Sequence, residues 1–98
     1  MARFGVYRLP DDSLVLDCQS DYIDHVGTRL VVPLLPPEEM PSALPALHPC
    51  FDIDGERLMM ATHLVGAVHA RLLKQTILML DHHEDAIKRA LDMLLFGF

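Results

Sequence analysis

The amino-acid sequence predicts an α+β fold in which a small, strongly bent antiparallel β-sheet carries one C-terminal α-helix. Three observations lead to it. Short β-compatible segments separated by turn chemistry fill most of the chain, an Asp54-Gly55 pair joins two of them, and an apolar stripe at helical spacing follows near the end. Residues 1–98 form a single domain, because dividing 98 residues leaves each part close to the ~40-residue floor for an unaided core.

Phe4 to Arg8 is β-compatible, Pro10-Asp11-Asp12-Ser13 is turn chemistry, and Leu14-Val15-Leu16 resumes an apolar run, so a β-hairpin is expected. Thr28 to Leu35 reads as a strand rich in β-branched residues and leucine. Pro33 has no N–H to give a ladder, which places that end of the strand at an edge or a bulge. Between Pro36 and Pro49 five prolines block long helices and regular ladders, and a loop with at most a short helical turn is expected. Cys50 to Ile53, Asp54-Gly55 and Glu56 to Ala61 form the clearest hairpin, since Asp-Gly suits a turn with positive φ at both central residues. Leu64 to Leu80 is apolar but irregularly spaced and reads as strand then loop, giving five or so strands in all.

In the helix, Asp81 is the expected N-cap with Glu84 three residues on, a pattern like a capping box. Ile87, Ala90, Leu91, Leu94 and Leu95 then recur at i, i+3, i+4, i+7 and i+8 as one apolar stripe, and Gly97 ends it.

Fourteen acidic against eight basic side chains give a formal charge of −6, so the mean field repels a phosphate backbone. Direct nucleic-acid binding by the chain alone is not expected, and the basic residues are scattered from Arg3 to Arg89. No stretch approaches the ~18 uninterrupted apolar residues of a membrane span. Cys18 and Cys50 lack Cys-x-x-Cys spacing and the first residues lack a secretory pattern, which points to a reducing, cytoplasmic setting with both thiols filling space. The apolar fraction of 51% is high for a domain this small, and part of that surplus is expected to face a partner or a second copy.

His82-His83-Glu84 invites a metal reading, but adjacent helical residues point about 100° apart and do not share an ion readily. No metal or cofactor is expected. His63 and His69, six apart, share a face if one unbroken strand holds both. With no nucleophile elbow and no Gly-rich phosphate loop, the residue list points to no reaction. More telling is the run Leu94-Leu95-Phe96-Gly97-Phe98, which puts two aromatics where a helix ordinarily frays into solvent. They either pack back on the domain or a dimer seam, or form a recognition tip of the rigid aromatic kind that anchors interfaces.

Several segments taken in order carry a family resemblance. They are Phe4-x-Val6-Tyr7, the block from Leu16 through Gln19-Ser20-Asp21-Tyr22-Ile23-Asp24, Gly27-x-Arg29-Leu30-Val31-Val32-Pro33-Leu34, Leu58-Met59-Met60-Ala61-Thr62, and Asp85-x-Ile87-Lys88-x-Ala90-Leu91-Asp92 with Gly97-Phe98. Together they resemble CcdB, the toxin of plasmid and chromosomal toxin–antitoxin systems. The resemblance implies the SH3-like barrel shared with the MazF and Kid ribonucleases, a homodimer, and a non-enzymatic role in plasmid maintenance. It further implies two partners, DNA gyrase A, which the family traps on cleaved DNA, and a CcdA-like antitoxin whose disordered tail folds on the toxin. Carried over by motif, Phe96 takes the aromatic position that stacks on gyrase arginines, Gly97 the glycine and Phe98 the last residue. Asp92 stands one turn before Phe96, and Tyr22 and Ile23 are the flanking contacts. The best-known form of the family ends Trp-Gly-Ile where Phe-Gly-Phe stands here; Phe offers guanidinium a smaller π face than Trp, within a cation–π contribution of about 0.5 to 2 kcal/mol.

Two alternatives share the fold. One is a MazF-like endoribonuclease, which needs cations around the phosphate and for which loss of RNA cleavage on Arg29→Ala is the check. The other is a homologue that keeps antitoxin binding without toxicity.

Overall fold

Pro10 to Ser13 reverses the chain as its chemistry dictates. In the computed structural model, which describes residues 2–97, the Asp11 carboxylate accepts from Ser13 N at 3.0 Å and from Ser13 Oγ at 2.6 Å, and Leu9 N donates to Ser13 O at 2.8 Å. Those bonds to the carboxylate hold Asp11 below its ordinary pKa. The turn joins β1 (Gly5–Arg8) to β2 (Leu14–Asp17) as an antiparallel hairpin with Val6 opposite Leu16.

β3 (Thr28–Leu35) is the longest strand and the centre of the sheet. β2 runs along one edge of it. On the other edge two strands share its length: β6 (Gly66–His69) lies opposite Thr28 to Val31, and β5 (Glu56–Met60) opposite Leu34 and Leu35. Pro33 therefore does not sit at an edge or in a bulge, as its missing N–H suggested. It pairs with Val15 and falls where the partner changes from β6 to β5, a gap in which no ladder donor is required; its carbonyl still accepts from Ala61 N at 2.9 Å.

β4 (Cys50–Ile53) and β5 form the expected hairpin, with Asp54 at φ 51° and Gly55 at φ 83°. β7 (Thr76–Met79) closes the other end by pairing with β1, giving the order β4-β5-β3-β2-β1-β7 with β6 beside β3. The result is a curled antiparallel half-barrel with one helix, the α+β arrangement the sequence implied. Seven strands rather than about five make it up, because Leu64 to Leu80 holds β6, a short 3-10 turn at Ala70–Leu72 and a second strand, β7.

The central strands are buried on both faces. Val6, Leu16 and Val32 are fully buried in the main core, while their neighbours Tyr7, Val15 and Val31 turn the other way and are covered by Leu73. This is why those strands read as continuous apolar runs rather than alternating ones. The Pro36–Pro49 excursion contains only the short 3-10 turn Pro37–Glu39 and contributes Met40 to a third, small cluster with Met59 and Ala61.

α1 (Glu84–Phe96) packs Ile87 and Ala90, both 0% exposed, into the main core with Leu91 beside them. Asp81 does not cap it. Asp81–His83 form a 3-10 turn in which His83 N donates to Leu80 O at 2.9 Å and Glu84 N to Asp81 O, and His83 precedes the helix with no side-chain cap. Gly97, at φ 81°, ends the helix with its N–H on Met93 O at 3.0 Å. Leu95 departs from the stripe and is 66% exposed. At 100° per residue Leu95 has rotated well past Leu94 to the margin of the apolar face, in the last turn of the helix. No helix among the described residues is long and apolar enough to cross a membrane.

Candidate partner-docking surface

Tyr22 and Ile23 lie in a 3-10 segment, Asp21–Val26, between β2 and β3, and no side chain in that segment is buried. Tyr22 is 95% exposed, Ile23 45% and Val26 50%. Apolar burial cannot hold such a segment in shape, so polar bonds must.

They come from Asp17, Gln19, Ser20 and Arg29. Ser20 Oγ accepts from Tyr22 N at 3.2 Å and opens the segment; Gly27, at φ 82°, closes it. The Gln19 amide group reaches across: its Nε2 donates to Ile23 O at 2.7 Å and Thr28 O at 3.0 Å, and its Oε1 accepts from Leu30 N at 3.0 Å. Arg29, 0% exposed, lies beneath. Its Nε donates to Asp17 Oδ2 at 3.0 Å and its Nη2 to Asp17 Oδ1 at 3.0 Å, a fork on a carboxylate that is itself fully buried; Nη2 also reaches Gln19 O at 3.1 Å and Asp21 Oδ1 at 3.3 Å. Arg29 Nη1 is buried without a hydrogen-bond partner.

Burial pushes the Asp17 carboxyl up, against the pull of the Arg29 fork and the Gln19 N–H. For Arg29 burial works against the charge, but the bonds to Asp17 and Asp21 win and its pKa is raised. Arg29 is thus a structural cation, walled off from any external phosphate. The check proposed for ribonuclease chemistry, Arg29→Ala, would report on folding instead.

Of the α1 residues singled out in the sequence, Phe96 is 65% exposed and Asp92 is exposed one turn before it on the same side of the helix. Gly97 holds its left-handed conformation, and Phe98 lies outside the described residues. Leu95 joins Phe96 as an exposed apolar residue that the stripe had assigned to the core. Arg3 links the two groups at the far end of the helix from Phe96. There Arg3 donates from its backbone N to Asp21 Oδ1 at 3.1 Å, and its guanidinium stands 3.7 Å from Glu84 Oε1. Glu84 and Phe96 are the first and last residues of α1, twelve helical steps or about 18 Å apart.

Little here suggests nucleophilic chemistry. Burial, with help from the Asp17 charge, pushes the Cys18 thiol up to about 12, and both cysteines are free. Among the described residues no three His, Cys, Asp or Glu side chains gather as a metal site. His63 and His69 do not share a strand face, since His63 belongs to the turn Thr62–Leu64 and only His69 to β6.

Sequence reasoning missed the structural roles of Arg29 and Gln19. Register parity was the available signal for Arg29: Asp17 faces Val31 across the β2–β3 ladder, so Arg29 lies two residues along on the same face. Gln19 gave none, because its bonds go to backbone groups that sequence does not identify. The family model described as CcdB protein matches residues 3–97, nearly the whole chain. The chain belongs to the CcdB family and, with it, to the toxins of toxin–antitoxin systems.

Proposed function

We propose that the protein poisons DNA gyrase: as a homodimer it binds DNA gyrase A and traps the enzyme on cleaved DNA, and a CcdA-like antitoxin neutralises it. It acts in the cytoplasm by binding, without catalysing a reaction of its own. Phe96, Gly97 and Phe98 form the tip, Asp92 supplies a carboxylate beside it, and Tyr22 and Ile23 make flanking contacts. The observation that carries this reading is the exposure of large apolar side chains on a scaffold that buries Phe4, Tyr7 and Phe51: Tyr22 at 95% and Phe96 at 65%, against Tyr7 at 1% and Phe51 at 3%. Aromatic groups held rigidly in solvent are the residue type on which interface energy concentrates. A formal charge of −6 suits a basic protein target, where guanidinium groups would meet phenyl faces and the Asp92 carboxylate.

The test is gyrase-mediated cleavage of supercoiled plasmid with purified protein, alongside induction in cells with and without the antitoxin. Stabilised cleavage complexes and growth arrest, both lost in Phe96→Ala and both reversed by the antitoxin, are expected. Gyrase turning over normally at saturating protein would refute the proposal.

A further inference from the structure

The proline-rich excursion between β3 and β4 is fastened at a place the docking surface does not use. Its last turn folds on itself, with Leu47 N and His48 N donating to Leu44 O at 2.9 and 2.7 Å, and leaves His48 only 6% exposed. The His48 ring has two partners. Nδ1 accepts the Leu44 N–H at 2.9 Å, and Nε2 stands 3.0 Å from Nδ1 of His63 in the turn Thr62–Leu64.

These partners fix the protons by elimination. Because Nδ1 of His48 accepts a backbone N–H, it carries no hydrogen, so the neutral ring bears its proton on Nε2 and donates it to His63. His63 Nδ1 must then be bare. A second proton on His48 would set Nδ1–H against the Leu44 N–H. The collision is donor against donor, at a ring that is only 6% exposed. The same reasoning excludes a metal ion between the rings, because Nε2 has no lone pair to give while Nδ1 is engaged.

We propose that His48 and His63 form an acid-sensitive latch, which holds the end of the Pro36–Pro49 excursion against Thr62–Leu64 only while the His48 ring is neutral. Released, the segment would uncover the Met40, Met59 and Ala61 cluster and open the cavity of about 310 Å³ beside it, whose lining includes Glu39, Met40, His48 and His63. Glu39 is the one charged side chain lining that cavity apart from the histidines. Among the described residues no carboxylate from the excursion, from β3 or from α1, the elements packed against Thr62–Leu64, forms an ion pair with either ring. In the closed form, then, no ion pair offsets a proton on His48. Burial, and then the neighbouring His63, hold His48 below the ordinary 6.5. The open segment takes up a proton that the closed one refuses, so the latch is fully closed above that ordinary value and weakens as pH falls through it. Thr62 Oγ1, bonded to Leu47 O, remains as a tether and keeps the opening local.

The test is backbone hydrogen exchange on the full-length ¹⁵N-labelled protein between about pH 7.5 and about pH 5.5, with each rate corrected for its intrinsic pH dependence. The Leu44 amide is the reporter. Its protection should fall about tenfold over that range, the factor for an open-state group titrating near 6.5, while amides of β2 and β3 keep theirs. In His48→Ala, Leu44 should be unprotected throughout, with no pH step. Imidazole ¹⁵N spectra at the upper pH should show His48 as the Nε2–H tautomer. A fall of less than about threefold at Leu44, an equal fall at β2 and β3, or the Nδ1–H tautomer at His48 would each overturn the latch.

Discussion

Replacing Arg29 by methionine would remove a guanidinium that is 0% exposed and leave beneath it a carboxylate, Asp17, that is 0% exposed as well. Asp17 would keep one of its present partners, the Gln19 N–H at 3.1 Å, and lose the fork from Nε and Nη2. Breaking a buried pair from one side costs about 3 to 5 kcal/mol, because the penalty is that of an uncompensated buried charge. The total stability of a domain this size is roughly 5 to 15 kcal/mol. Since 1 kcal/mol moves the midpoint of such a domain by about 4 to 8 °C, the loss corresponds to about 12 to 40 °C in Tm at fixed protein concentration. Urea titration followed by circular dichroism measures it. The direction of a second substitution separates a lost charge partner from lost packing. Adding Asp17→Leu to Arg29→Met removes the orphaned carboxylate and should recover most of the loss, as replacing a whole buried pair by apolar groups costs little. The deficit of Arg29→Met alone should also shrink in acid, because the stranded Asp17, pushed further up by the loss of its cation, is protonated and ceases to be a buried charge. A loss below about 1 kcal/mol, or a double variant less stable than the single one, would refute the claim that this pair is buried and mutually dependent.

Phe96→Ala should leave the unfolding midpoint within about 0.5 kcal/mol of the parent, since the ring is exposed, while gyrase binding by calorimetry weakens by about 2 kcal/mol, or thirtyfold. Gln19→Ala removes three bonds that span Asp21–Val26 and β3, so exchange at the Ile23 amide should rise about tenfold while β5 is unaffected. Ile87→Ala opens a cavity where α1 meets the sheet and should cost about 2 to 5 kcal/mol in urea unfolding. Gly55→Ala places a Cβ at φ 83° in open space, so the cost of about 1 to 2 kcal/mol is backbone strain alone and should appear in Tm without any change in partner binding.

Local chemistry in the sequence carried the hairpins and the helix, and failed where tertiary context decides. Asp54-Gly55 names its own turn, and Pro10 to Ser13 holds its own bonds, so both hairpins were legible. β7 was not, because an edge strand with two exposed and two half-buried residues leaves no alternating pattern to read. The Pro33 position depended on two strands distant in sequence meeting end to end along one edge of β3. Asp81 carried a capping signature that a 3-10 turn made redundant. In the candidate site Phe96 stood out from its place at the end of an apolar helix, Tyr22, Ile23 and Asp92 were reached through the family motif, and Leu95 was misplaced because periodicity does not show which margin of a stripe is covered. His48 and His63 are 15 residues apart and each looks unremarkable in isolation.

The charged pair beneath the docking segment also explains why an exposed loop can offer a rigid surface. A buried Arg–Asp fork confers little net stability over apolar residues of the same volume, and Arg29 even leaves one nitrogen unpaired. Its directional bonds do something hydrophobic packing cannot do for a segment with no buried side chain: they fix the backbone of Gln19 and the carboxylate of Asp21, the end of the segment from which Tyr22 and Ile23 project. A partner meeting Tyr22 therefore does not have to order the loop first, which removes one of the main entropic costs of association. The helix tip is held differently, by Ile87 and Ala90 in the core and by Gly97 ending the last turn, so polar bonds fix one group of the surface and apolar packing the other. The two should therefore fail under different perturbations: the loop on loss of hydrogen bonds, the tip on loss of core volume.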